Sequence, residues 1–277
     1  MTKCKKKVGK GRGNVTRKEK RANFVRKYAS LFRCPICHSP VKVIDLKSLV
    51  CIKNHTFDFA KQGYVNLLTR PVTSQYDKQL FQARKRIITE TDLYTPLHNQ
   101  IADVIEEYAR MTNEEIIVFD AGCGEGSHLQ RILATCNRRQ MTGIGIDLAK
   151  EAIRMAAREY ENSIWFVADL ATPPLINQSC HVVLNIFSPA NYEEFKRILV
   201  SEGLLIKVVP RSDYFRELRD ELSDHLGKQS YRNDKTVSLF KQHFHVVKWS
   251  SLRYTKKLKE SDLIDVVKMS PLAWNVE

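Results

Sequence analysis

Cys34, Cys37, Cys51 and His55 are the residues whose types and spacing most directly suggest chemistry. They bound the stretch CPICHSPVKVIDLKSLVCIKNH, which holds three of the chain's seven cysteines. Cys34 and Cys37 form a C-x2-C knuckle, and thirteen residues further on Cys51 and His55 form a C-x3-H knuckle. Two such knuckles held apart by a small hairpin bring four soft donors to the corners of a tetrahedron around zinc. The intervening VKVIDLKSLV alternates apolar and polar residues, as a hairpin does. A redox C-x-x-C pair is the competing reading, but it gives Cys51 and His55 no purpose. His38 is a competing ligand, disfavoured because it directly follows Cys37 and the two would strain one tetrahedron. With all four positions filled by protein, no position remains for a water. The metal is therefore expected to be structural and to fold a module too small to hold itself together.

A second group of chemistry-bearing residues lies in IIVFDAGCGEGSHLQRIL. A continuous apolar run ends at Asp120, and Gly122, Gly124 and Gly126 follow before a helix from about Ser127. Strand, glycine turn and helix in this order bring a ligand to the carboxyl end of a sheet. The spacing is G-x-G-x-G, not the G-x-G-x-x-G of dinucleotide sites. The next apolar stretch, MTGIGID, ends in Asp147, 27 residues after Asp120, where an acid can take both hydroxyls of a ribose. A third, IWFVADL, runs to Asp169 and Leu170, suitably placed for an adenine.

The elements that must position these residues are legible as periodicity. Residues 98–112 repeat apolar positions at helical spacing. Apolar runs at 116–119, MTGIGID, IWFVADL, HVVLNIFSPAN and EGLLIKVVP predict five buried strands. The order β-α-β-α-β-x-β-α-β predicts an α/β fold with a doubly wound, Rossmann-like sheet. At 277 residues and 43% apolar content, the chain can bury a large domain with a small satellite. It has no apolar run long enough to span a membrane, and its first residues, MTKCKKKVGKGRGNV, lack the apolar segment of a secretory signal. The cysteines are therefore expected in a reducing cytoplasm, and their odd number argues against a disulfide framework. Residues 1–30 hold twelve Lys or Arg against Glu19, so most of the net charge of +14 sits there. Such a block is expected to be a disordered basic arm that attracts phosphates, the bland alternative being a solubilising tail.

The two groups of residues together are more specific than either. D-x-G-C-G-x-G with the two later acids resembles class I methyltransferases that use S-adenosylmethionine. CPICHSP…CIKNHTFDFAKQGYVNLL, AGCGEG, NIFSPAN and MSPLAW together closely resemble the 23S rRNA (guanine-N1)-methyltransferases, over about Phe32 to Trp274. The resemblance implies a small zinc-binding N-terminal module, residues 31–68, a helical linker, 69–97, and a methyltransferase domain, 98–277. It implies Cys34, Cys37, Cys51 and His55 as structural zinc ligands, and a module that helps recognise an RNA hairpin. The activity implied is methyl transfer from S-adenosylmethionine to N1 of a guanine in a 23S rRNA hairpin loop near the peptide exit tunnel. The partner is 23S rRNA, no membrane is involved, and a homodimer is compatible with the family. The long basic arm is a departure from the family's short N-termini.

On this basis Gly122, Gly124 and the nearby backbone are expected to admit the methionine part of the cofactor, Asp147 to hold the ribose, and Asp169 with Leu170 the adenine, with Asp120, Glu125 and Gly126 also counted as cofactor-binding. The loop Asn185–Asn191 should face the transferred methyl, with Ser188 and Pro189 either structural or in the acceptor pocket. Guanine N1 carries a proton that must leave. Asp77, Asp213 and water all stay open as its acceptor, and no catalytic base is assigned. Aromatic residues interleaved with Arg84, Lys85 and Arg86 between Gly63 and Leu97 suit an exposed RNA loop, or else a core with a solvated face. The alternatives are a methyltransferase of another RNA such as tRNA or of a non-RNA substrate, and a non-enzymatic RNA-binding protein on a degenerate fold.

Overall fold

The computed structural model describes residues 15–72, 76–137, 140–221 and 232–270. Its centre is a six-stranded, all-parallel sheet. The strands are β4 (Val65–Asn66), β5 (Ile116–Ala121), β6 (Met141–Asp147), β7 (Ser163–Val167), β8 (Cys180–Ile186) and β9 (Leu199–Val208), in the order β4-β7-β6-β5-β8-β9. The five strands expected from the apolar runs all form. The reason is visible in β5: Ile116 and Val118 face one buried layer, while Ile117, Phe119 and Ala121 face the other, so a strand covered on both sides reads as unbroken hydrophobicity. Helices α3 (Thr95–Ala109), α4 (Ser127–Thr135) and α5 (Lys150–Glu159) supply apolar residues to the first layer, among them Ile101, Leu129, Ile132 and Ile153. Among the described residues no helix is long and apolar enough to cross a membrane.

The second layer explains the unusual segment HTFDFAKQGYVNLL. Strands β1 (Val41–Ile44), β2 (Ser48–Cys51) and β3 (Thr56–Asp58) form the small antiparallel sheet that carries the knuckles. From β3 the chain bridges Phe59 to Val65 and then lays β4 in parallel register on the edge of the large sheet, Val65 opposite Phe166 and Asn66 opposite Val167. Phe32, Leu49 and Phe59 of the module share one buried cluster with Phe119, Ile146 and Phe166 of the sheet, and Phe32 meets Phe166 edge-on at 4.9 Å. The module is thus a lid over one face of the sheet, not a satellite on a tether.

Part of the expected disordered arm is an ordered helix, and the expectation is corrected there. α1 (Arg17–Lys27) starts on a capping box in which the Glu19 amide donates to Thr16 Oγ1 while Glu19 accepts from the Thr16 amide. It docks because Arg21, only 4% exposed, donates to the carbonyls of Ala157, Tyr160 and Glu161 at the C-terminal end of α5 and of Ser163 at the start of β7. A cation there also complements the helix dipole. Gly63, at φ +95°, gives Arg21 room: a Cβ would lie 2.3 Å from Arg21 Cγ. Residues 1–14 lie outside the described residues, as do residues 271–277 with Trp274. Arg21→Met should cost about 2–4 kcal/mol of stability, since it leaves several buried carbonyls without their charged donor. Urea unfolding of the variant measures this directly. A loss below 0.5 kcal/mol, the size of a typical surface change, would return α1 to a loosely held arm.

Candidate functional site: a glycine turn beside a zinc ribbon

In the module the two knuckles converge. The donor atoms of Cys34, Cys37, Cys51 and His55 all lie within 4.8 Å of one another, and all three cysteines are free thiols. His55 Nδ1 is 3.5 Å from Cys34 Sγ and 3.4 Å from Cys51 Sγ, while Cys37 Sγ is 3.6 Å from Cys51 Sγ. Tetrahedral zinc, with Zn–S of about 2.3 Å and Zn–N of about 2.1 Å, sets these separations at about 3.8 Å for S···S and about 3.6 Å for S···N. The donor set therefore fits zinc. His38 is not in the cluster: it takes a left-handed turn at φ 57° as its amide bonds back to the Cys34 carbonyl at 2.9 Å. Ser39, whose hydroxyl lies 3.0 Å from Cys37 Sγ, holds that thiol down to about 7 and so favours the thiolate a metal needs.

At the carboxyl edge of the large sheet, β5 and β6 deliver the glycine turn and Asp147. The Asp147 carboxylate accepts the Gly124 amide and the Ala149 amide, each at 2.8 Å, and so ties the turn to the end of β6. Burial pushes its pKa above the ordinary carboxylate range. Asp120 is 2% exposed, and burial pushes it up to about 7. Leu170 lies against the turn, its Cδ1 3.6 Å from where a Gly122 Cβ would sit. Asp169 accepts the Ala171 amide at 2.8 Å and lines a crevice of about 270 Å³ at the seam with the module, between Pro35, Arg70 and Thr172. The turn, three acids and an apolar wall are the parts needed to hold a nucleoside joined to a charged chain, so the residues present fit S-adenosylmethionine.

The cations read as RNA contacts are each paired with an acid, and of the three only Arg84 turns toward a fully buried one. From α2 (Lys78–Glu90), Arg86 makes a two-pronged pair with Asp265 of the helix Glu260–Met269, both bonds 2.5 Å, and Lys85 pairs with Glu159 at 3.0 Å. Arg84 reaches over the glycine turn to within 3.4 Å of Glu125. Tyr64, Phe81 and Tyr94 are buried. Asp77 caps α2 through the Leu80 amide at 2.7 Å. Asp213 is held below the usual carboxylate range by its hydrogen bond from Arg211. That lowered pKa does not suit Asp213 to act as a base, and Asp77 is engaged as a helix cap.

The loop after β8 is built as a scaffold. Asn185, fully buried, donates to Ser188 Oγ at 2.6 Å and to the Pro189 carbonyl at 2.8 Å, and Ser188 donates to the Ala121 carbonyl at 2.5 Å. Ser188 is thus structural. Lys207 on β9, paired in register with Asn185, donates to its Oδ1 and to the Ser188 carbonyl. Phe187, the first residue after β8, is 39% exposed and sits at φ 53°, a strained conformation for a bulky residue. Tyr94, His128 and Tyr214 surround it at ring-centroid distances of 6.2, 6.3 and 5.6 Å. Sequence reasoning missed Phe187 and Lys207. The only signal for either was that Phe187 lies within the loop Asn185–Asn191 already singled out.

Behind this cluster, His98 Nε2 and His128 Nδ1 lie 2.8 Å apart and buried. Burial lowers His98 to about 4 and His128 further below its ordinary value, so both are neutral. Below about pH 6.5 the unfolded chain protonates both and the folded chain does not, so folding stability falls as pH drops toward 4. Asp120 opposes this, since between about pH 4 and 7 the folded state holds a proton there that the unfolded state has lost. Asp147, also raised by burial, adds to that opposition, so the net fall is smaller than the about 1.4 kcal/mol per pH unit that two protons against one would give. Chemical unfolding at pH 7, 6 and 5 with zinc in excess should show that smaller fall, and His98→Asn/His128→Asn should reverse its sign.

Comparison with known proteins agrees with both halves of this geometry. The profile of the RlmA N-terminal zinc ribbon matches residues 32–76, and that of a methyltransferase domain matches residues 118–203. YxjB of Bacillus subtilis, assigned as a 23S rRNA (guanine-N1)-methyltransferase, is 42% identical over 251 residues, covering 89% of this chain and 88% of its own. The 23S rRNA (guanine(748)-N1)-methyltransferase of Streptomyces fradiae is 34% identical over 256 residues, covering 92% of this chain and 88% of its own.

Proposed function

We propose that this chain, which belongs to the 23S rRNA (guanine-N1)-methyltransferase family, methylates N1 of a guanine in a hairpin loop of 23S rRNA in the cytoplasm. The observation that carries the proposal is the shared core. The zinc ribbon and the sheet bury Phe32, Leu49, Phe119 and Phe166 in one cluster, so the two matched parts act as one body. Cys34, Cys37, Cys51 and His55 would hold zinc, whose chemistry here is to cross-link the two knuckles.

S-adenosylmethionine, when bound, supplies a methyl group on a sulfonium, already a good leaving group. The protein's work is then to bind, align and exclude water. Asp147 holds the ribose and Asp169 with Leu170 the adenine. Asp120, Gly122, Gly124, Glu125 and Gly126 surround the methionine end. Phe187, 39% exposed with Tyr214 beside it, offers an aromatic surface on which an extruded guanine stacks. The knuckle tips Ile36 and Ile52, 51% and 75% exposed, stand beside Lys53 for the flanking RNA. The expectation of a homodimer rests on the family resemblance alone, and analytical ultracentrifugation tests it.

The protein should be incubated with labelled S-adenosylmethionine and unmodified 23S rRNA, and the product mapped by primer extension. A methyl on N1 blocks base pairing and arrests the polymerase, so one new stop in a hairpin loop is expected. Label on tRNA with none on 23S rRNA would instead select the tRNA alternative.

A further inference from the structure

We propose that Arg84 and Glu125 form a clamp for the zwitterionic α-amino-acid end of the cofactor, Arg84 taking its carboxylate and Glu125 its ammonium. This rests on the methyltransferase reading above and adds to it a residue from outside the glycine turn.

The argument starts from an incomplete ion pair. The Glu125 side chain is fully buried, and neither carboxylate oxygen has a hydrogen bond. Its nearest cation is Arg84 Nη1 at 3.4 Å, close enough for attraction but too poorly aligned for a bond. Buried carboxylates are otherwise hydrogen-bonded, and guanidiniums beside them make short forked pairs. Two residues further along the same helix, Arg86 does so with Asp265, both bonds 2.5 Å. Arg84 does not, although its side chain is only 21% exposed. No hydrogen bond reaches its guanidinium from any described residue, which leaves a fork of five N–H groups open.

The position of the pair identifies what completes it. A Cβ on Gly124 would fall 1.9 Å from Arg84 Nη1, so the missing side chain is what admits the guanidinium onto the turn. The turn is also fastened to Asp147 through the Gly124 amide. A ligand whose ribose lies at Asp147 therefore extends its substituent toward Arg84 and Glu125. The open guanidinium needs a carboxylate and the orphaned carboxylate needs an ammonium. A nucleoside that carries both on one carbon is a thioether or sulfonium bearing an α-amino acid through its side-chain sulfur. Asp120 and Asp147 also lie within electrostatic reach of Arg84. Three acids against one guanidinium can accept the positive charge such a ligand brings.

Calorimetric binding of two probes separates the clamp from the nucleoside site. S-adenosylhomocysteine carries the amino-acid end and 5′-methylthioadenosine lacks it. Arg84→Met and Glu125→Gln should each weaken S-adenosylhomocysteine by about 10–100-fold, the range for hydrogen bonds to charged groups. Both should leave 5′-methylthioadenosine within about twofold, which also reports an intact fold. The double variant, with no unpaired buried charge, should bind 5′-methylthioadenosine normally and S-adenosylhomocysteine no better than either single variant. Decarboxylated S-adenosylmethionine should be insensitive to Arg84→Met and sensitive to Glu125→Gln. Undiminished S-adenosylhomocysteine binding by Arg84→Met, or equal weakening of both probes, overturns the clamp. Failure of the unaltered protein to bind either probe removes the methyltransferase reading itself.

Discussion

Serine at both Cys34 and Cys37 should release about one zinc per chain and unfold the ribbon, and the damage should spread to the edge of the catalytic sheet. Binding of structural zinc to small modules is worth roughly 10–16 kcal/mol at neutral pH. That is as large as the whole stability of a typical domain, about 5–15 kcal/mol, so the knuckles cannot hold without metal. The spread follows from connectivity. β4 is laid on β7 by the same segment that leaves the second knuckle, and the Leu67 amide donates to the Val167 carbonyl at 2.8 Å. Phe32 packs on Phe166 while its neighbour Arg33 bonds to the Pro174 carbonyl. Metal analysis should therefore show the loss of zinc, and hydrogen exchange should show lost protection at residues 65–67 as well as within the ribbon. Unchanged metal content would remove the two cysteines as ligands. Metal loss with protection intact at 65–67 would show that the sheet edge stands without the ribbon.

How much of this was legible in the sequence depends on the range of the interaction. Strands β5 to β8 read directly because burial on both faces leaves a local mark, and the half-buried edge strand β9 still shows an apolar run. The knuckles read directly because metal geometry fixes short spacings. The role of HTFDFAKQGYVNLL was invisible as physics, since β4 gains its partner only when β7, a hundred residues away, is in place. Arg21 was misread for the same reason. A cation in a basic run looks solvated until four carbonyls from α5, the turn after it and the first residue of β7 close around its guanidinium. Arg84, Lys85 and Arg86 show the limit of charge patterning, because α2 turns three consecutive cations toward three different acids. Composition counts charges but does not say which of them face inward.

Lys207→Met should lower turnover on RNA by about 100-fold or more, while S-adenosylhomocysteine affinity stays within about twofold. Lys207 crosses from β9 to hold Asn185 Oδ1 and, at 2.8 Å, the Ser188 carbonyl. Asn185 in turn holds Ser188 and Pro189, and Ser188 is fastened to Ala121, the residue before the glycine turn. One ammonium thus fixes the distance between the loop that presents Phe187 and the turn that receives the cofactor. Methionine keeps the stem's volume and removes the donor, which leaves buried acceptors unpaired at about 1–3 kcal/mol each. The loop would relax toward other donors, and a displacement of about 1 Å in the acceptor's seat is enough to cost about 100-fold. The glycine turn keeps its own fastening through Asp147, which is why cofactor affinity should survive. Burial holds the Lys207 ammonium down to about 8, but a neutral amine still has two N–H groups for its two acceptors. The loop should therefore hold its place through that titration, so a scaffold role alone puts no step near pH 8 in turnover. A step there in the unaltered protein, absent from Lys207→Met, would mean that this lysine also handles the proton leaving guanine N1.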